Sequence, residues 1–269
     1  MIKIAIESVL LLGVLNIIVT LKRSDKIIVS CITKFIRDEV RNRKSSVVVI
    51  GISGGIDSAV TTALAVRALG HDKVFGLILP DSSVTPKVDI RHAIDLAKWL
   101  GIRYRNIELK GFKKQLLLDL PRDKLAGGNL LVRLRMLLLY YYAAILNGLV
   151  LGTGDKSEIT LGYFTKHGDG AADLLPIADI YKTQVRSLAR YLSIPDDIIN
   201  KKSSARLWRG HTAEGELGLS YDEVDLILEN LNNKIKIREP DLRKKAAKVI
   251  QLIEKNKHKH EKPAICKIK

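Results

Sequence analysis

The stretch Val47-Val48-Val49-Ile50, followed by Gly51-Ile52-Ser53-Gly54-Gly55-Ile56-Asp57-Ser58, constrains this chain more than any other. Four consecutive β-branched residues read as a buried parallel strand. The glycines after them let backbone N–H groups approach an anion with no Cβ in the way. Ala59 to Leu69, closed by Gly70, then reads as a helix whose positive N-terminal end faces the same anion. Ser53 and Ser58 add hydroxyl donors. The loop lacks the lysine of GxxxxGKS/T and the spacing of GxGxxG, so it matches neither the P-loop nor the dinucleotide fingerprint. A cradle without lysine suits a departing pyrophosphate better than γ-phosphoryl transfer. Asp57 is then the natural magnesium ligand, because Mg²⁺ sites commonly combine one or two carboxylates with phosphate oxygens. The plainer alternative is a tight turn with Asp57 as a helix N-terminal charge.

The same rhythm continues on both sides of the loop. Asp25 to Arg43 reads as a helix, with Ile28, Cys31, Ile32, Phe35, Ile36 and Val40 on one face. Val74 to Leu79 reads as a second strand and Lys87 to Leu100 as a helix closed by Gly101. Ile102 to Leu109 reads as a third strand. Leu130 to Leu146 is a long apolar helix, with Leu137 to Tyr142 apolar all round, and Leu149-Val150-Leu151 a further strand ending in Gly152-Thr153-Gly154-Asp155. Residues 156–180 have weak periodicity and read as a functional loop region. Tyr181 to Leu192, Tyr221 to Leu231 and Leu242 to Lys255 read as helices. This alternation predicts an α/β fold: a doubly wound, mostly parallel sheet with helices on both faces.

The formal charge of +16 attracts phosphates of some kind, in a nucleic acid or a small nucleotide, or is a solvated basic surface. Cys31 and Cys266 stand near opposite ends without a CxxC, which argues against a disulfide scaffold, a zinc ribbon or a redox pair and makes the cytoplasm the default compartment. Residues 1–21 form an extra hydrophobic segment. Lys3, Glu7 and Asn16 interrupt it, and no small-residue cleavage site follows. It reads as an added amphipathic or buried helix, as translation from a mis-assigned start, or as a membrane anchor; membrane attachment is the least favoured. Residues 22–269 read as one domain.

The serine-glycine loop resembles the signature of the N-type ATP pyrophosphatases, a Rossmann-like adenylating family. Within it, five further stretches resemble the NAD synthetases: Gly128 to Met136; Leu151-Gly152-Thr153-Gly154-Asp155-Lys156-Ser157-Glu158; Gly162-Tyr163-Phe164-Thr165-Lys166-His167-Gly168-Asp169-Gly170-Ala171-Ala172-Asp173-Leu174-Leu175-Pro176-Ile177; Tyr181-Lys182-Thr183-Gln184-Val185; and Gly218-Leu219-Ser220-Tyr221-Asp222-Glu223-Val224-Asp225. The likeness covers about residues 25–263. It implies ATP-dependent amidation of deamido-NAD, giving NAD, AMP and pyrophosphate through an acyl-adenylate. Ammonia is the expected nitrogen source, since glutamine-using relatives carry an additional N-terminal glutaminase domain. A homodimer built on the helix from Leu130 is also implied, with no nucleic-acid partner.

The resemblance also carries roles to individual residues. Gly51, Ile52, Ser53, Gly54, Gly55, Ile56, Asp57 and Ser58 would bind ATP, together with Thr153, Lys182 and Ser204. Asp57 and Glu158 would hold Mg²⁺, and Asp57 and Lys182 would be catalytic. Arg133, Lys166, Asp173, His258 and Lys259 would bind deamido-NAD, the last two in a C-terminal tail that closes on the substrate. Several have plainer alternatives: Arg133 snorkelling, Asp173 and Glu158 capping turns, Lys182 as a solvated charge, and His258-Lys259 as a loose end. The chain also departs from the family, with Gly210-His211-Thr212-Ala213-Glu214 where relatives usually read G-Q-T-D-E. Glu214 or Glu216 is the candidate to replace the lost carboxylate. Ser203 stands where a proline is usual before Ser204. Two rivals are a tRNA-modifying adenylating enzyme and a non-catalytic nucleotide sensor on the same fold.

Overall fold

A computed structural model describes residues 24–268, so the hydrophobic segment 1–21 lies outside the described residues. Four parallel strands form the sheet: β1 (Val47–Gly51), β2 (Val74–Ile78), β3 (Arg103–Asn106) and β4 (Gly148–Leu151), in the order β3-β2-β1-β4. The chain builds outward from β1 to β2 and β3, then crosses back to lay β4 on the other side of β1. The order therefore reverses between β1 and β4, and ligands of open α/β sheets bind outside the carboxyl ends of the strands at such a point. A single parallel bridge from Leu151 to Leu174 continues the sheet beyond β4.

Side chains alternate across β1 and build two cores. Val48 and Ile50 join a cluster with α1 (Asp25–Asn42), α2 (Ile56–Leu69), α3 (Lys87–Trp99), α7 (Lys182–Tyr191) and the short α8 (Asp196–Ile199). Val47 and Val49 join Phe75, Leu77 and Leu131 beneath α5 (Lys124–Leu146), with α4 (Lys110–Leu116) leading into it. Helices thus cover both faces, as the alternation predicts. The third cluster links α6 (Lys156–Leu161) to α9 (Ala213–Leu217), α10 (Tyr221–Asn232) and α11 (Pro240–Asn256). It brings the C-terminal third of the chain against the end of β4.

Several boundaries differ from the expectation. Helix α5 begins at Lys124, six residues before Leu130, because Asp123 accepts the Ala126 N–H at 2.6 Å and caps it. Gly127 and Gly128 lie inside the helix, and Leu207 packs where a Cβ on Gly128 would sit. Helix α2 begins at Ile56, and β3 is shorter than the predicted strand. The region 156–180, read as loop, contains α6, capped by Asp155 through the Glu158 N–H. Nor is α5 buried all round: Leu137, Tyr141 and Ile145 are 56%, 60% and 62% exposed, one turn apart along one face. By length and hydropathy α5 would also pass as a membrane span. Its packing on β1 and β4 makes it a core helix with one uncovered side.

Candidate active site

The sharp turn after β1 is set by Gly54. Its φ is +72°, and a Cβ there would lie 2.2 Å from the Asp89 carbonyl oxygen, so only glycine fits. The two serines divide their work. Ser58 is buried; its Oγ donates to the Gly55 carbonyl at 2.9 Å and accepts the Ser53 N–H at 3.2 Å. It therefore ties the loop to itself. Ser53 is exposed to the cleft, with Oγ accepting from the Gly55 N–H at 3.2 Å. Gly55 caps α2 without any side-chain bond, which leaves first-turn N–H groups and the positive helix end facing the cleft. The cleft, about 240 Å³, is lined by this loop on one side and by Gly152, Thr153 and Glu158 on the other.

At its floor three carboxylates meet one ammonium. Lys182 Nζ lies 2.7 Å from Asp57 Oδ1, 2.7 Å from Asp155 Oδ2 and 2.9 Å from Glu158 Oε1. The lysine side chain is fully buried. Burial by itself depresses an ammonium pKa, but Asp57, Glu158 and Asp155 outweigh it and hold Lys182 charged, well above its ordinary range. The acids respond in the opposite direction. Burial pushes the Glu158 and Asp155 carboxyls above the usual carboxylate range, with Lys182 opposing in both cases. One ammonium does not neutralise three carboxylates. Asp155 is fully buried, and the Lys182 ammonium is the partner of its Oδ2. Tyr221 closes the floor: its ring centroid is 4.9 Å from Nζ and its hydroxyl donates to Glu158 Oε1 at 3.3 Å.

The other predicted residues fall into groups. Thr153 and Ser204 both line the cleft. The Ser204 hydroxyl donates to the His211 carbonyl and accepts the Arg206 N–H at 3.1 Å, so it shapes its own loop. Arg133 donates to the Lys166 carbonyl at 3.2 Å, and Lys166 Nζ donates to the His258 carbonyl at 2.6 Å. Lys259 Nζ donates to the carbonyls of Gly162 and Phe164 at 2.6 and 2.9 Å. Arg133, Lys166 and His258 therefore form one chain of contacts, Lys259 makes a second anchor on residues 162 and 164, and the tail is docked rather than loose. Asp173 stands apart. Its Oδ2 accepts the Val150 N–H at 2.7 Å, so it serves the sheet edge. Lys182 is not a solvated charge: its ammonium is held by carboxylates, Asp57 of the loop among them.

In the departing segment, Thr212 caps α9 and Ala213 is buried at the cleft wall. Glu214 accepts the Tyr221 N–H at 3.0 Å. Glu216 instead accepts from the Tyr163 hydroxyl at 2.7 Å and pairs with the buried His211 Nε2 at 2.8 Å. Since Tyr163 lines the cleft, Glu216 is the acid tied to it.

Sequence reasoning missed Asp155, Tyr221, Asp89, Lys201 and Arg206. Asp155 three residues before Glu158 carries a capping pattern that could have marked both. Tyr221 lies in the resembling stretch Gly218 to Asp225, and Lys201 and Arg206 flank Ser204, but only the tertiary packing that brings Asp89 to Lys201 and Arg206, and Tyr221 to Glu158, gives them their places.

A parallel sheet with a lysine-free anion loop at its switch point, and acids facing that loop, defines the adenylating α/β class of nucleotide-binding proteins. The chain belongs to the NAD synthase family, whose profile matches residues 28–263. It is 46% identical over 246 residues to the NH(3)-dependent NAD(+) synthetase of Archaeoglobus fulgidus, covering 90% of this chain and 97% of that protein. It is 47% identical over 244 residues to the corresponding protein of Methanosarcina acetivorans, covering 87% and 95%. Among solved structures, an NH3-dependent NAD synthetase from Campylobacter jejuni superposes with a TM-score of 0.79 at 32% identity, covering 91% of this chain and all of that one. An NMN synthetase from Francisella tularensis superposes with a TM-score of 0.83 at 33% identity, covering 92% and 100%.

Proposed function

We propose that this protein amidates deamido-NAD with ammonia at the expense of ATP, releasing NAD, AMP and pyrophosphate. The observation that carries the reading is the meeting of Asp57, Glu158 and Lys182 directly beside the serine-glycine loop. A carboxylate is a poor electrophile, so its oxygen first attacks the α-phosphorus of ATP. Pyrophosphate leaves toward the serine-glycine loop and the first-turn N–H groups of α2. Ammonia then adds to the acyl carbon, AMP departs with the carboxylate oxygen, and a proton is lost from nitrogen. The chain contributes position and charge, with no nucleophilic side chain required.

Mg²⁺ fits this site. The three carboxylates outnumber their one ammonium, and Asp57 and Glu158 both border the cleft. Among the described residues no set of three or more His, Cys, Asp or Glu is spaced to hold a metal unaided. Two carboxylates plus phosphate oxygens suffice for magnesium. Asp57 and Glu158 would hold it, and it would supply neutralisation of phosphate charge. Arg133, Lys166, His258 and Lys259 would take the dinucleotide, with Asp173 positioning the sheet edge beside it. A homodimer through the uncovered face of α5 and a cytoplasmic location belong to the same reading.

The likeness to an NMN synthetase makes the deamidated mononucleotide the second substrate to test. Protein, ATP, magnesium and ammonium are incubated with either acid, and AMP and the amide product are measured. Faster turnover of deamido-NAD supports the reading; preference for the mononucleotide reassigns the substrate, and AMP formation with neither refutes both. Activity with glutamine but not ammonium overturns the nitrogen source.

A further inference from the structure

Asp89 sits in the first turn of α3 with its side chain 3% exposed, and it holds two cations at once. Lys201 Nζ lies 2.9 Å from Oδ1 and Arg206 Nε lies 2.7 Å from Oδ2. The cluster borders the serine-glycine loop directly. Lys201 also donates to the Gly54 carbonyl, and the Asp89 main chain is what forbids a side chain on Gly54. All three residues line the cleft. Two cations against one carboxylate leave a surplus of positive charge on the pyrophosphate side of the site.

The two cations differ in what remains available. Lys201 Nζ is used by Asp89, by the Gly54 carbonyl and, at 3.4 Å, by His92 Nδ1. Arg206 uses Nε on Asp89, which fixes the guanidinium plane, while its Nη1 and Nη2 make no hydrogen bond among the described residues. Those two nitrogens form the fork that matches two phosphate oxygens. The backbone points the same way. Arg206 has φ +51°, a left-handed conformation unfavourable for a side chain of this size, and the Asp89 and Ser204 contacts hold it there.

We propose that Arg206 binds a phosphate of the departing pyrophosphate through Nη1 and Nη2, with Asp89 and Lys201 as the residues that position it. This rests on the ATP-cleaving reading above but is tested separately from it. Magnesium pyrophosphate is titrated calorimetrically into the wild-type protein and into Arg206→Ala, Arg206→Gly and Arg206→Lys, and the KM for ATP and for deamido-NAD is measured for each. The glycine variant removes the side chain while relaxing the left-handed backbone, so a purely structural role predicts that it behaves as wild type. We expect pyrophosphate affinity to fall about tenfold in the alanine and glycine variants, as loss of a charge-assisted bond predicts. Partial recovery is expected with lysine, with the KM for ATP rising in step and the KM for deamido-NAD within about twofold of wild type. Wild-type pyrophosphate binding in Arg206→Gly, equal changes in both KM values, or a wild-type protein that binds no pyrophosphate would each overturn the proposal. Pyrophosphate binding that depends on Arg206 in a protein making no amide would instead sink the amidation reading and leave the Arg206 site standing.

Discussion

Lys182 shows most sharply how an isolated residue differs from the same residue in its fold. In the sequence it is a lysine after a tyrosine, equally readable as a solvated charge or a phosphate contact. In the structure it is a fully buried counter-ion for Asp57, Asp155 and Glu158. Removing it leaves three carboxylates uncompensated. Lys182→Met should therefore lose about 3 kcal/mol or more in urea denaturation, and magnesium should raise the Tm of this variant more than that of wild type. A variant as stable as wild type would remove the counter-ion role. Asp57→Ala should lower kcat by about a hundredfold or more while the protein stays folded, and wild-type turnover would refute its part in handling the metal. Asp57 was legible because loop and acid lie in one short stretch. Asp173 was legible only as a motif member; its bond to the Val150 N–H depends on the bridge beyond β4. Asp89 and Arg206 are far apart in sequence, and no motif connects them.

At the scale of elements, the strands and long helices were readable because their apolar periodicity is strong. Short pieces such as α6, α8 and α9 were not, because caps and tertiary contacts stabilise them more than any stripe does. Helix α10 illustrates how such an end is secured. Ser220 Oγ accepts the Glu223 N–H at 3.3 Å, Glu223 accepts the Ser220 N–H at 2.9 Å, and Lys245 from α11 reaches Glu223 at 2.8 Å. The Lys245 contact, followed by the Ser220 N–H, holds the Glu223 carboxyl down from 4.5 to about 2. A depressed carboxylate stabilises above its unfolded pKa and loses that contribution as pH falls through the folded one. Glu223→Gln keeps the cap but removes the charge. It should be slightly less stable than wild type at pH 7, by under about 1 kcal/mol because the pair is near the surface, and the gap should close between pH 4.5 and 2. A gap that stays constant over that range would assign the effect to the cap geometry instead.

At the scale of the whole molecule, the uncovered side of α5 decides the expected assembly. Leu137, Tyr141 and Ile145 place apolar surface one helical turn apart on a helix whose opposite side is already packed on the sheet. Isolated exposed leucines are ordinary, but an aligned row of large apolar residues marks an interaction surface. Light scattering should give twice the mass of one 30.0 kDa chain, and Tyr141→Glu should shift the mass to that of a monomer. A monomeric wild type would end the dimer assignment. The two borders of the sheet are protected in different ways. On one, β3 presents Arg103 and Arg105 beside open backbone; on the other, the chain returning at Leu174 pairs with the carboxyl end of β4. Charge repels strand addition along the first border, and the protein's own backbone pre-empts it at the carboxyl end of the second. The strands that carry the anion loop can therefore be as apolar as a parallel sheet requires without offering a template for fibrils, even at the high concentrations a crowded cell imposes.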